Sequence, residues 1–434
     1  MQLEKTVKKY DTYKDSGIEW IGKIPQNWNV RKLFGLLKSI GSGTTPKGND
    51  SYYDGDIPWL NTGDLTDSYV NIIGKTVTDI AMTECSALKL FDKNSVVIAM
   101  YGATIGKLGI ITFPTTTNQA CCVMSCSKSL YNKYLFYVLY SARDYILTLS
   151  YGAGQPNISQ ETMKSFKLCC PDVLEQQKIA DYLDKKCGEI DRVIETEKSV
   201  IEKLKEYKQS IITEAVTKGL DKSVPLKDSG IEWIGKIPQH WEICKLLKLY
   251  KERKCKNKGN TETNVLSLSY GNIKRRNVEN NMGLLPESFE TYNIIVPDNI
   301  VLRLTDLQND HRSLRCGLVK EQGIITSAYV TLEKKLDSIS SNYYYRLLHT
   351  FDIMKGFYGM GDGVRQNLKY DGELCNLLVV RPSQIEQQQI AEYLDKKCSE
   401  IDKAIANKEQ VIEKFTEYKK SLIYECVTGK KRVA

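Results

Sequence analysis

The stretch LEQQKIADYLDKKCGEIDRVIETEKSVIEKLKEYKQSIITEAVT, Leu174 to Thr217, decides the architecture. Leu183, Cys187, Ile190, Ile194, Glu197, Ile201, Leu204, Lys208, Ile211 and Ala215 recur in steps of four and three, a heptad pattern held for more than four heptads. The stretch has no proline, and Gly188 is its only glycine. At ~1.5 Å of rise per residue such a helix is roughly 65 Å long. A helix of that length with one apolar stripe needs a partner. The chain supplies it as IEQQQIAEYLDKKCSEIDKAIANKEQVIEKFTEYKKSLIYECVT from Ile385, offset by 211, with its seam at Leu394, Cys398, Ile401, Ile405, Lys408, Ile412, Phe415, Lys419, Leu422 and Cys426. Equivalent mid-helix positions carry Glu197 in one copy and Lys408 in the other, opposite charges that would meet if the helices ran antiparallel.

A second duplication frames the first. KDSGIEWIGKIPQNW, Lys14 to Trp28, returns as KDSGIEWIGKIPQHW, Lys227 to Trp241. The chain is therefore two copies of one unit, each a constant stretch, a divergent middle and a long helix. A period above 200 residues excludes a solenoid, whose repeats are ~20–50 residues long. The divisions read as 1–28 (an N-terminal segment with the first constant stretch), 29–173 (first globule), 174–219 (first long helix), 220–241 (linker with the second constant stretch), 242–384 (second globule) and 385–430 (second long helix). Pro171 and Pro382 close each globule ahead of its helix.

Each middle reads as mixed α/β. Ser95–Met100 and Gly109–Phe113 predict strands in the first and Lys133–Leu149 a helix. Asn293–Leu302 and Gly323–Thr331 predict strands in the second and Asn342–Met354 a helix. The fold class is α+β: two mixed α/β globules joined by two long helices in an antiparallel intramolecular coiled coil, with an internal pseudo-two-fold repeat.

Composition narrows the function classes. With 434 residues, 41% hydrophobic, 26% charged and a formal charge of +8, the chain suits a folded protein with polyanion affinity. The N-terminus lacks the apolar core of a signal peptide, and SVVIAMYGATIGKLGIITF, Ser95 to Phe113, reads as buried strands, since Lys107 and three glycines interrupt it. A cytoplasmic protein is expected. Its thirteen cysteines include no Cys-x-x-Cys pair and accompany only three histidines, so reduced thiols are expected and a metal site is not.

Catalytic motifs are imitated but not completed. Gly102 to Lys107 is one residue short of a phosphate loop, and Leu108 stands where the Mg²⁺-binding hydroxyl belongs. Gly41-Ser-Gly43 is a lone glycine pair, read as a turn. No methyltransferase tetrapeptide or nuclease carboxylate set is present in the sequence, and His240, His311 and His349 lie far apart. The reading is a chain that catalyses nothing.

Divergent globules on a rigid helix pair suit contact with two features a fixed distance apart, as DNA half-sites are. The chain resembles a specificity (S) subunit of a type I restriction–modification system. The resemblance rests on the repeated DSGIEWIGKIPQxW and EQQxIAxYLDKKCxEID blocks, and on GTTPKGNDSYYDGDIPWLNTGDL, IAMYGATIGKLGI and TTNQACC in the first globule. It implies two target-recognition domains, each reading one half of an asymmetric bipartite site on double-stranded DNA. It also implies partners: two methyltransferase (M) subunits held by the helices and restriction/translocase (R) subunits. No cofactor belongs to this chain in that reading; S-adenosylmethionine, ATP and Mg²⁺ sit on those partners.

Phosphates take Lys, Arg and small hydroxyls, whereas base edges take Arg, Asn, Gln, Ser and Thr. The first-globule candidates are Thr44, Thr45, Lys47, Asn61, Thr62, Asp64, Tyr101, Thr104, Lys107, Gln155 and Asn157. Those of the second are Lys274, Arg275, Arg276, Arg303, Asp306, Arg312, Ser313, Arg315, Arg365, Gln366, Asn367 and Lys369. The run Lys251–Lys258 is a further phosphate candidate. Gln155 and Gln366 match at the helix offset, and Lys107-Leu-Gly109 matches Arg315-Cys-Gly317 at 208. Each choice has a plainer alternative: Lys47 and Lys107 as solvated lysines, Asp64 as a turn cap. Trp20, Trp28, Trp233 and Trp241 read as apolar anchors that fix each globule against the helices and present a surface to partner subunits; packing of each globule's own core would also repeat them. A coiled-coil scaffold without DNA contact is the competing function, and it leaves two divergent globules unexplained.

Overall fold

The computed structural model describes residues 9–150, 156–276, 288–307, 314–360 and 367–433. The chain forms two compact units, one of Met1–Lys198 with Glu409–Ala434, the other of Ser199–Lys408. The long helices, Val173–Lys218 and Gln384–Val427, therefore each contribute one end to each unit.

In the first unit the beginning of the first helix packs on the end of the second. Leu183, Cys187 and Ile190 share a core with Leu422, Ile423 and Cys426. Lys419 Nζ reaches both carboxylate oxygens of Asp191 at 2.7 Å. In the second unit Ile212, Ala215 and Val216 share a core with Ile390, Leu394 and Cys398, and Lys208 Nζ reaches Asp402 at 2.6 and 2.7 Å. Within each unit the helices run antiparallel. The pairs that mark the direction within each unit are seam lysines on aspartates.

The first unit is built on a five-stranded sheet in the order Leu37–Gly41, Cys121–Cys126, Val96–Ala99, Leu108–Ile111, Ser68–Val70, antiparallel except for the last pair. Val96–Ala99 and Leu108–Ile111 are buried throughout, which is why they read as uninterrupted apolar runs. The second unit repeats the first four strands in the same order: Tyr250–Glu252, Val330–Lys334, Ile300–Leu302, Cys316–Leu318. Asn29–Lys32 pairs with Lys167–Cys170, and Glu242–Lys245 pairs with Leu378–Arg381 in the same way. The units differ where a three-stranded sheet around Tyr53–Leu60 in the first gives way to two antiparallel strand pairs in the second, Leu266–Ser269 with Asn272–Arg275 and Asn293–Ile295 with Gly323–Ile325.

Two strand expectations are corrected. Asn293–Leu302 is two strands, because Pro297 lacks an N–H and Asp298 adopts φ +70°, a turn closed by Asn299 Oδ1 accepting from the Val296 amide. Gly323–Thr331 likewise divides into Gly323–Ile325 and Val330–Lys334.

The constant residues bind each globule to its helix. Trp28, fully buried, donates from Nε1 to Glu175 at 3.1 Å, and Trp241 donates to Glu386 at 3.0 Å. The buried Gln176 accepts from the Tyr131 amide and donates to the Pro171 carbonyl. Gln387 repeats both bonds with Ser340 and Pro382. Asp184 takes Lys133 and Tyr137 from the helix Asn132–Ser141, and Asp395 takes Asn342 and Arg346 from Ser341–Ile353. Tyr134 closes on the Val427 carbonyl at 3.2 Å, as Tyr343 does on that of Val216 at 2.7 Å. Among the described residues no helix is long and apolar enough to cross a membrane.

Candidate nucleic-acid interface

In the first unit the candidate loops converge at one end of the sheets. The amide of Asn118 donates to the Leu60 carbonyl at 3.0 Å, so the segment after Thr116–Thr117 lies beside the Asn61–Asp64 turn. Asn118 Nδ2 then donates to Asn61 Oδ1 at 3.1 Å. Trp59 Nε1 donates to the Thr44 carbonyl, and the Thr45 hydroxyl bonds Gln119 Oε1 at 2.7 Å. Tyr101 bridges to Asn157, and the neighbouring Ile158 amide donates to the Met100 carbonyl at 2.7 Å. Thr44, Thr45, Asn61, Thr62, Asp64, Tyr101, Thr104 and Asn157 thus border one surface, with Lys47 and Lys107 exposed on it. Asp64 is engaged: its carboxylate accepts from the Asn61 amide at 2.8 Å. Gln155 lies outside the described residues.

Two loops here are held by glycine. Gly102 and Gly106 adopt φ +85° and +78° in a tight connection between Val96–Ala99 and Leu108–Ile111. A strand follows where a phosphate loop would have a helix. Gly43 is no simple turn residue. A Cβ there would fall 1.9 Å from the Thr117 carbonyl oxygen, so the Ser42–Thr45 segment can press onto the Thr116–Thr117 strand only as glycine.

The second unit arranges its candidates differently. Lys274 and Arg275 are exposed on Asn272–Arg275, with Arg275 paired to Glu321, and Arg276 follows the strand, its amide donating to the Val265 carbonyl at 2.8 Å. Asp306, at φ +56°, donates its amide to Asn367 Oδ1 at 2.9 Å, which joins those two loops; Lys369 is exposed beside them. Arg303 is half-buried, its amide donating to the Arg315 carbonyl at 2.8 Å. Arg312, Ser313, Arg365 and Gln366 lie outside the described residues. The Lys251–Lys258 run is largely committed: Lys251 and Arg253 pair with Glu333, Lys254 with Glu252, and Lys256 bonds the Thr291 carbonyl.

Arg315 is corrected. It is 0% exposed, and its guanidinium donates to the carbonyls of Arg303, Thr305 and Asp306 while lying over the Tyr358 ring. A side chain so enclosed organises the Arg303–Asp306 loop and faces no ligand. The matching Lys107 is exposed, so the two share a sheet position and not an environment. The partner-binding role of Trp28 and Trp241 is corrected too, whereas Trp20 and Trp233 are half-buried. Trp28 and Trp241 are 0% and 1% exposed; Trp20 stacks on Tyr145 and Phe166, and Trp233 packs on Phe351. They fasten globule to helix.

Sequence reasoning missed Ser42, Asn118, Gln119 and Gln160, which complete the first unit's polar surface; Gln160 Nε2 donates to Ser42 Oγ at 2.8 Å. The Asn-Gln pair stood inside the TTNQACC motif, but nothing in its spacing told a surface loop from a strand. All thirteen cysteines are free thiols, and burial pushes Cys122, Cys169 and Cys187 up to about 12, so these are inert at neutral pH.

Residues 25–206 match the family model described as the type I restriction modification DNA specificity domain. A specificity subunit from Methanocaldococcus jannaschii, of the type I restriction enzyme MjaVIII, is 23% identical over 425 residues, covering 95% of this chain and 94% of its own length. The chain carries this specificity domain at residues 25–206 and is similar to type I restriction enzyme specificity subunits along nearly its whole length. That of the MjaIX enzyme from the same organism is 29% identical, the match spanning 52% of each chain. The Escherichia coli EcoR124I/EcoR124II specificity subunit is 27% identical over 42% of this chain and 46% of its own. Solved structures share the specificity-subunit fold. A chain from the structural work on complex assembly and conformational transition of the type I restriction–modification system gives a TM-score of 0.70 at 12% identity, over 93% of this chain and 98% of that one. The HsdS subunit of Thermoanaerobacter tengcongensis gives 0.52 at 12% identity, over 94% and 98%. A specificity subunit is a non-catalytic member of its system.

Proposed function

We propose that this specificity subunit reads an asymmetric, bipartite sequence on double-stranded DNA, one half with each unit, and that its helices hold two methyltransferase subunits, joined for restriction by translocase/nuclease subunits. One observation carries the reading. The two units share strand order, helix attachment and buried anchors, yet differ in the loops around the exposed polar surface. A constant frame with unlike faces is what two different half-sites on one continuous duplex require. In this reading the methyl donor S-adenosylmethionine, and ATP with Mg²⁺, are bound by the partners, and the complex works in the cytoplasm. The candidate residues of both units, Gln155, Arg312, Ser313, Arg365 and Gln366 among them, remain its proposed DNA contacts, without Arg315.

The test is duplex binding by the chain assembled with its methyltransferase, titrated with salt. Affinity that falls steeply between 50 and 200 mM salt, by roughly 10³-fold or more for six or more phosphate contacts, supports DNA reading. Affinity indifferent to salt, or no binding, overturns it.

A further inference from the structure

We infer that Gln119 and Gln160 read base edges in the half-site bound by the first unit. The inference rests on the DNA-reading function above and names residues within it. Both side chains lie on the surface where the Thr44–Thr45, Asn61–Asp64 and Tyr101–Asn157 segments meet, Gln119 exposed and Gln160 half-exposed. Each is aimed by one hydrogen bond to the same short segment. Thr45 Oγ1 bonds Gln119 Oε1 at 2.7 Å, and Ser42 Oγ accepts from Gln160 Nε2 at 2.8 Å.

That segment is itself tied down. Gly43 donates its amide to Thr117 Oγ1 at 3.0 Å and has no room for a Cβ, and Trp59 Nε1 holds the Thr44 carbonyl at 3.1 Å. The two carboxamides are therefore each tied to the Ser42–Thr45 segment, with part of each hydrogen-bonding edge unused among the described residues. Gln119 keeps its amide donors. Gln160 keeps its carbonyl oxygen and one N–H, the pair that matches the N7 and N6 edge of adenine. Asn118 is more committed: one of its N–H groups goes to Asn61 and its oxygen already accepts from the Ala120 amide.

Among the described residues the second unit has no such pair at the corresponding positions. Thr331 opposes Val301 there as Val123 opposes Val97 in the first, and that register puts Ser327 where Gln119 stands. The helix offset puts Asp371 where Gln160 stands. Residues that read sequence should differ between units bound to unlike half-sites, and these do.

The experiment uses the chain assembled with its methyltransferase and a set of duplexes carrying the methylated motif with each base pair replaced in turn. Competition binding compares the wild type with Gln119→Ala and Gln160→Ala. Each variant should lose roughly 5- to 150-fold of discrimination at one or two positions of one half-site, the other half unchanged. Equal weakening on every duplex, or discrimination unchanged everywhere, overturns the inference. Should a truncation impair folding, Gln119→Met and Gln160→Met carry the same test, removing the hydrogen-bonding edge at similar size without adding charge. A wild-type complex that prefers no bipartite site would overturn the DNA-reading function itself, an outcome distinct from failure of these two residues.

Discussion

Lys419 and Asp191 form a two-oxygen ion pair at 2.7 Å, and Lys208 and Asp402 form its counterpart one repeat away. Each lysine is a seam residue whose ammonium leaves the apolar stripe for an aspartate on the other helix. The pairs mark antiparallel direction without supplying most of the energy, because exposed ion pairs contribute only ~0.2–1 kcal/mol. The buried seam decides stability: Leu183 and Leu422 are 0% and 2% exposed. Lys419→Ala should cost no more than about 1 kcal/mol and Leu422→Ala ~2–5 kcal/mol in denaturant unfolding.

The anchor at Glu386 predicts an acid response. Burial opposes its ionisation, but hydrogen bonds from Trp241, His240 and Ser383 prevail and hold its carboxyl down at about 2. An acid lowered in the fold stabilises fully above its unfolded value, near 4.5, and that contribution is lost as pH falls toward 2. Glu386→Gln should destabilise at neutral pH by ~1.5–3 kcal/mol and flatten the pH dependence between about 4.5 and 2, read by thermal unfolding across pH.

His349 acts in a higher window. Burial, with Arg346 and Lys208 beside it, lowers its pKa from 6.5 to about 4, so the folded chain keeps it neutral. The unfolded chain takes a proton below ~6.5, so stability falls as pH drops from 6.5 toward 4. His349→Phe should remove that slope. Tyr140 occupies the corresponding place in the first unit, on a helix pinned by Asp184 as His349's is by Asp395. The slope should therefore belong to unfolding of the second unit, seen by hydrogen exchange.

Arg315 and Lys107 separate structure from contact. Arg315→Ala strands the carbonyls of Arg303, Thr305 and Asp306 and should cost at least ~2 kcal/mol of stability in the second unit. Lys107→Ala should leave stability unchanged, weaken duplex binding about equally on all sequences and lower the salt slope by about 1. Unfolding and binding titrations on both variants check the contrast.

The helices were legible in the sequence because a heptad stripe without proline has few other solutions, and the duplication identified each helix's partner. Strands buried on both faces, such as Val96–Ala99, showed as apolar runs. The candidate site was legible only as loops. Sequence spacing could not tell that Arg315 turns inward, since an arginine satisfied by carbonyls looks like one awaiting phosphate. Nor could it show that Trp28 is closed off by Glu175, a contact between residues 147 positions apart. Gln160 joins Ser42 across 118 positions and was invisible for the same reason.

The most direct measurement is a genome-wide map of N6-methyladenine in the host, with and without this gene, the partner methyltransferase being expressed in both. The account predicts a bipartite, asymmetric motif with a fixed spacer that disappears when the gene is removed. A motif that persists without the gene, or a gene-dependent motif that is not split into two halves, would contradict it.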